Sequence, residues 1–248
     1  MKIDRPHSRH FPALQALWQE AFGDPQSFID SFFSTAFSPE RCLCVTRQDA
    51  VMAAAYWLDC HFDGRKAAYV YAVATAKAHR GQGHCRQLMA ALHQHLACRG
   101  YTGVILVPGA PGLRAMYGGM GYRNMGGMDE IFAVSGSHTK LQEIDAQEFA
   151  ALRRAYLPAG GVMQEGENLA FLACHNRFYR GDGFLMAAHV NDGTLFAPEL
   201  LGSADHSGIL SALGAREGTF RVPGTAPFAM WHPLSDVPVP TYFGFAFD

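Results

Sequence analysis

The most distinctive part of the sequence is a glycine-rich segment, RGQGHC at 80–85, that lies between an apolar run and a helical pattern. The run AAYVYAVAT (67–75) predicts a strand covered on both faces, and Leu88 and Leu92 share one face of the helix that follows. A strand–turn–helix junction of this kind directs successive backbone N–H groups into one concavity at the positive end of the helix. Glycines in the turn remove the side chains that would keep an anion from the backbone. The segment therefore predicts a site for a phosphate or pyrophosphate group.

Two common nucleotide-binding patterns are excluded by residue identity. A Walker loop needs Gly-Lys-Ser or Gly-Lys-Thr, whereas Gly83 is followed by His84 and Cys85. A dinucleotide fingerprint needs a third glycine where this chain has Arg86. The alternative is a tight turn that binds no ligand, but the flanking strand and amphipathic helix favour a binding site.

Three segments together resemble the GNAT superfamily of N-acetyltransferases: AVATAKAHRGQGHCRQLMAAL (72–92), GYTGVILVPG (100–109) and LRAMYGGMGYR (113–123). The resemblance implies a mixed sheet flanked by helices, in which the strand before the turn splays from its neighbour. Acetyl-CoA would lie in the resulting wedge as co-substrate. The implied reaction is direct transfer of the acetyl group to an amine in a ternary complex.

The resemblance also assigns cofactor-binding residues. Val73 and Thr75 would form main-chain hydrogen bonds with the pantetheine arm. The residues that would hold the pyrophosphate are Arg80, Gly81, Gln82, Gly83, His84 and Cys85. The family pattern begins with Gln or Arg, and the chain has Ala78 at that place. Because that position partly orders the loop, we expect a modest loss of cofactor affinity.

The resemblance places Tyr117 beside the sulfur of the coenzyme. A phenol with an unperturbed pKa of about 10 is protonated at neutral pH and can donate a proton to a leaving thiolate. The alternative is an ordinary packing aromatic. Gly118 and Gly119 follow at once, and we expect them to end the helix early. Cys85 is not expected to carry the acyl group, because it falls inside the phosphate-binding segment.

The general base is left open by the sequence. Asp59, His61, Asp129 and Glu130 flank predicted strands near the proposed cleft, although each residue type is more often a solvated surface group. The order of elements also resembles the tandem-GNAT "enhanced intracellular survival" acetyltransferases, without their third domain. In that group the terminal carboxylate acts as the base, which makes Asp248 a further candidate.

The remaining elements predict an α/β fold with two domains. A GNAT-like unit covers 1–135, a small polar linker follows, and a smaller α+β unit resembling a degenerate second GNAT covers 140–248. In the first unit we expect a helix that starts at Asp24-Pro25 and a hairpin at Asp63-Gly64. The second unit is predicted to contain a helix capped by Asp145, helices at 168–179 and 206–213, a hairpin of strands 184–190 and 194–198, and strands at 219–222, 227–231 and 241–247.

The composition favours a globular protein with a locally recognised substrate. Of the 248 residues, 49% are apolar, as in a globular protein. The net charge of -2 gives no general attraction to nucleic acid or anionic membranes. Six cysteines without a CxxC pair, and no signal peptide or long apolar run, favour a reduced, cytoplasmic protein. No zinc-ligand spacing occurs, so no metal is expected. The expected partner is a small-molecule or peptide amine, with a homo-oligomer left open. The rival interpretation is a non-catalytic acyl-CoA-binding sensor.

Overall fold

The structure is a computed structural model that describes residues 1–247. The chain divides into two compact units, one of residues 1–123 with 230–238, the other of 124–229 with the residues from 239 on. Within residues 1–247 it forms seven α-helices and twelve β-strands, which confirms the predicted α/β class. None of the helices described is long and apolar enough to cross a membrane.

The sheet of the first unit is mixed. Its strands are β1 (Lys2–Asp4), β2 (Cys42–Arg47), β3 (Ala50–Phe62), β4 (Arg65–Thr75) and β5 (Gly103–Leu106), in that order, followed by the end of β12 (Glu217–Pro233). Neighbours are antiparallel except β4 and β5, which are parallel. The predicted hairpin joins β3 to β4, with Asp63 and Gly64 both at positive φ (50° and 69°).

Helices cover both faces of this sheet. They are α1 (Phe11–Phe22), α2 (Gln26–Thr35), α3 (His84–Ala97) and α4 (Pro111–Gly118). On one face Leu88 and Leu92 of α3 pack with Trp57 of β3. On the other face the ring of Trp18 from α1 lies 5.4 Å from that of Tyr56. Adjacent residues of β3 thus point to opposite, equally buried sides, as a doubly covered strand requires.

The second unit is built on a further mixed sheet. Its strands are β6 (Arg123–Val134), β7 (Leu141–Ile144), β9 (Arg177–Gly181), β10 (Phe184–Asn191), β11 (Thr194–Gly202) and the longer part of β12. The unit also contains the two-residue strand β8 (Met163–Gln164), which does not pair with these strands, and the helices α5 (Ala146–Tyr156), α6 (Glu167–His175) and α7 (His206–Ala212). The strand order is β12-β11-β10-β9-β7, and β6 pairs with β12. Strand β6 therefore belongs almost entirely to the second compact unit, whereas the sequence predicts domain limits of 1–135 and 140–248.

Several predicted elements differ in the structure. Helix α2 begins at Gln26, not at Pro25, because the Asp24 carboxylate accepts a hydrogen bond from Trp18 Nε1 at 2.7 Å instead of capping the helix. Helix α6 ends at His175, since 177–181 pairs with β10 as β9. The two strands predicted at 219–222 and 227–231 form one strand, and the segment predicted as a strand at 241–247 forms only a single bridge, at Tyr242.

Candidate functional site

The glycine-rich segment forms an exposed turn between β4 and α3. A short 3₁₀ turn at Lys77–His79 comes first, and Gly81 and Gly83 then adopt left-handed φ values of 74° and 81°. A Cβ atom at either glycine would meet no other atom within 4 Å, so space does not require glycine there. The backbone conformation does, because a left-handed φ costs other residues about 1–2 kcal/mol.

The N-terminus of α3 has no internal cap. Gly83 is the N-cap residue and has no side chain to accept from the first helical N–H groups. Those groups also have no intrahelical acceptor, and no described residue accepts from the backbone N–H of His84, Cys85 or Arg86. Unpaired amides at the positive end of a 14-residue helix can bind an anion, and the exposed Arg80 lies beside them. These residues fit the pyrophosphate predicted from the sequence.

His84 and Cys85 point inward from this turn. His84 is 8% exposed, and its Nδ1 has no hydrogen-bond partner within the described part of the chain. Cys85 is half-buried against the core of the first unit. Burial raises the pKa of its thiol above the ordinary value, and the neighbouring Arg86 opposes this less strongly. A thiol kept protonated is a poor nucleophile.

Beside the turn, β4 and β5 separate. Their parallel pairing covers only Ala68 with Val104 and Tyr69 with Ile105, whereas β4 continues to Thr75. On its other edge β4 has a bulge opposite β3, where Ala72 adopts a φ of +49°. A bulge redirects the strand and increases its twist. The segment from 70 to 75 therefore forms the splayed edge expected of the cofactor wedge.

The two main-chain positions assigned to pantetheine differ in availability. Val73 lies directly after the bulge and packs against the core cluster that also includes Cys85 and Tyr117. The carbonyl of Thr75 already accepts a hydrogen bond from Arg80 Nε at 3.1 Å. Val73 is thus the better placed of the two to pair with a ligand in the wedge.

Tyr117 lies at the end of α4, next to Cys85. Its side chain is 6% exposed, and burial, with a smaller contribution from Cys85, raises the pKa of its hydroxyl well above the ordinary value. No described residue forms a hydrogen bond with this hydroxyl group. Helix α4 ends one residue later, as Gly118 and Gly119 predicted, and Arg86 Nη1 donates to the carbonyl of Gly119 at 3.0 Å. The first turn of α3 and the end of α4 are therefore fixed to each other.

A group of aromatic rings that no sequence pattern indicated lies next to Tyr117. The ring of Tyr122 lies 5.6 Å from that of Tyr117, and the Tyr122 hydroxyl is 2.8 Å from His93 Nε2. His232 stacks on His93 at 4.0 Å. Burial, assisted by His232, lowers the pKa of His93 to about 4, so both rings of this stack remain neutral at physiological pH. Gly121 lets the His232 ring lie close to its backbone, since a Cβ atom at residue 121 would be only 3.0 Å from that ring.

The candidate carboxylates within the described residues are engaged in other interactions. Asp59 accepts a hydrogen bond from the Tyr101 hydroxyl, and Asp59 and His61 pair with Ala68 and Lys66, toward the end of β4 away from the splayed edge. In the second unit, Asp129 accepts from the backbone N–H groups of residues 225 and 226, which lower its pKa, and Glu130 forms an ion pair with Arg221. Asp248 lies outside the described residues.

Comparison with known proteins bears on the family and the fold. A family model described as an acetyltransferase (GNAT) domain matches residues 2–125, half of the chain. No curated protein sequence matches. Among solved structures, a GCN5-related N-acetyltransferase from Anabaena variabilis superposes with a TM-score of 0.71 at 13% identity, over 94% of this chain and 73% of that one.

Two further solved structures are similar to nearly the whole chain. Eis1 from Mycobacterium abscessus has a TM-score of 0.67 at 12% identity and covers 95% of this chain and 74% of its own. A tandem GNAT protein from the clavulanic acid biosynthesis pathway has a TM-score of 0.58 at 10% identity, over 96% and 99%. Identities this low show a shared fold, and the family model adds a shared sequence pattern. On these grounds the chain belongs to the GNAT family of acetyltransferases.

Proposed function

We propose that this chain is an acetyl-CoA-dependent N-acetyltransferase that transfers the acetyl group directly to an amine. The observation that carries the proposal is the exposed, uncapped N-terminus of α3, with Gly81 and Gly83 in left-handed conformations, beside the splayed edge of β4. Residues 80–85 would hold the diphosphate and Val73 the pantetheine arm. The bound thioester would supply an activated acetyl group.

Tyr117 is the proposed proton donor. Burial keeps its hydroxyl protonated across the physiological range, because the raised pKa lies far above neutral pH. A protonated Oη next to the site can deliver its proton to the sulfur that leaves as the amine takes the acetyl group. The same raised pKa makes Tyr117 unsuited to remove a proton from the incoming ammonium. That second role stays with Asp248 as a prediction.

The acceptor is proposed to be the amine of a small molecule or peptide, in the cytoplasm, without a nucleic acid or membrane partner. The near-neutral net charge of -2 supports a locally recognised acceptor over a polyanionic partner. All six cysteines are free thiols, which fits a reducing compartment.

The test is thiol release from acetyl-CoA with a panel of amines, comparing the wild type with Tyr117→Phe. We expect kcat to fall about 100-fold, as for loss of a general acid, with little change in KM for acetyl-CoA. Tyr179→Phe removes the hydroxyl of a half-buried tyrosine in the second unit and should leave turnover unchanged. Full activity of Tyr117→Phe would remove Tyr117 from the mechanism. Tight coenzyme binding without turnover on any amine would favour the non-catalytic sensor.

A further inference from the structure

The turn before α3 lacks the Gln or Arg side chain with which the family pattern begins. Ala78 offers only a methyl group at that position. The turn is nevertheless tied down by three hydrogen bonds, two from its own side chains and one to a distant helix: Arg80 Nε to the Thr75 carbonyl at 3.1 Å, Gln82 Nε2 to the Ala78 carbonyl at 3.2 Å, and the Lys77 N–H to Glu20 Oε1 at 2.5 Å.

The bond to Glu20 differs from the other two because it joins separate elements. Lys77 is the first residue of the 3₁₀ turn, so its N–H has no acceptor within that turn, and the N-cap residue Ala76 provides none. Glu20 lies 57 residues earlier, on α1. Two residues earlier on the same helix, the Trp18 ring lies 5.4 Å from both the Tyr56 and Tyr71 rings. The carboxylate is thus carried by a helix that is docked on the sheet.

We propose that Glu20 is a positioning residue for the coenzyme diphosphate, acting through the Lys77 N–H to keep the turn in its binding conformation. The inference rests on the proposed function, since it concerns the same turn. Its role is that of a hydrogen-bond acceptor, not of a charge. A carboxylate near a diphosphate is repelled by it, so electrostatics alone would disfavour an acidic residue here.

The acceptor role predicts a specific order among three variants in titration calorimetry with CoA. Glu20→Ala removes the acceptor and should weaken affinity about three- to tenfold, the range expected for one net hydrogen bond. Glu20→Gln keeps an acceptor oxygen and removes the repelling charge, so it should restore affinity to the wild-type level or slightly above. Gln19→Ala is the matched control, since it truncates the adjacent exposed side chain of α1 and should not change affinity.

Backbone amide hydrogen exchange in the free protein gives a second readout that does not depend on CoA. Exchange at 77–83 should be faster in Glu20→Ala and normal in Glu20→Gln. The proposal is overturned if Glu20→Ala leaves exchange in the turn unchanged, or if Glu20→Gln behaves like Glu20→Ala. If the wild type does not bind CoA, the proposed function fails, and the exchange data still decide whether Glu20 positions the turn.

Discussion

The two units contain the same local arrangement with opposite outcomes at the helix N-terminus. In each, a hairpin leads through a short turn into a helix: β3–β4 into α3 in the first, β10–β11 into α7 in the second. The N-terminus of α3 has no cap and faces solvent. The N-terminus of α7 is capped by Asp205, whose carboxylate accepts from the Gly208 N–H at 3.1 Å and from the hydroxyls of Ser207 and Ser137.

The strand junctions differ in the same way. Strand β11 pairs with β12 only from Thr194 to Ala197, as β4 pairs only briefly with β5. Beyond that point, Glu199 of β11 is fully buried and receives two hydrogen bonds from Arg153, at 2.6 and 2.8 Å, and one from the Tyr242 hydroxyl at 2.9 Å. Val73 of β4 remains half-buried. A binding site therefore depends less on the fold than on which polar groups the chain leaves unsatisfied.

The largest expected effect concerns the buried ion pair of Arg153 and Glu199 beside β11. Arg153→Leu would leave the buried carboxylate of Glu199 without its positively charged partner. This change should lower the free energy of unfolding by about 3–5 kcal/mol. The double variant Arg153→Leu with Glu199→Leu should recover most of that loss, because no unpaired charge remains. Urea unfolding measures both. A loss below about 1 kcal/mol in the single variant would show that the pair does not hold the second unit together.

The next effect concerns the two glycines before the uncapped N-terminus of α3. Gly81→Ala and Gly83→Ala should each weaken CoA binding about tenfold, because the left-handed conformation then costs 1–2 kcal/mol and the turn relaxes away from it. The matched control is Gly214→Ala, which has a φ of 68° and equally free space after α7 in the second unit. Equal losses of CoA affinity in all three variants would assign the effect to general strain.

A smaller expected effect is the pH dependence of stability that His93 gives to the first unit. The pKa of His93 falls from its ordinary 6.5 to about 4 in the folded protein, chiefly through burial. The unfolded chain binds more protons between these values, so this contribution to stability is complete above pH 6.5 and is lost as the pH falls toward 4. His93→Gln should reduce the slope of unfolding temperature against pH in that window. An unchanged slope would contradict the assignment to His93.

The smallest effect concerns the cap of α7. Hydrogen bonds from Ser137, Ser207 and Gly208 lower the pKa of Asp205 from 3.8 to about 2. Its stabilisation is therefore present above pH 3.8 and is lost as the pH falls through 2. Asp205→Ala should lower the unfolding temperature at neutral pH by about 2–4 °C, as for loss of one N-cap. Calorimetry measures this shift, and CoA affinity should not change.

The parts of the site that depend on local sequence were predictable. Gly81 and Gly83 between an apolar strand and an amphipathic helix indicated the turn, and Asp63-Gly64 indicated the hairpin before it. The brief β4–β5 pairing followed from the family resemblance, which the family model and the fold confirm.

Contacts between distant residues were not predictable. The approach of Glu20 to Lys77 and the stack of His93 on His232 depend on how α1 and β12 pack, which no local pattern encodes. The same reason explains the end of α6 at His175. The residues after it lie in β9, whose backbone pairs with both β10 and β7, and no local pattern encodes that pairing.

The proposed function depends on the main-chain amides at the start of α3, which would hold the diphosphate of coenzyme A. Backbone amide NMR signals of the ¹⁵N-labelled protein, followed while CoA is added, test this binding. We expect large shifts at Gly81, Gly83 and Cys85 and none at Gly208, whose amide already donates to Asp205. Unchanged signals at Gly81 and Gly83 in the presence of saturating CoA would contradict it.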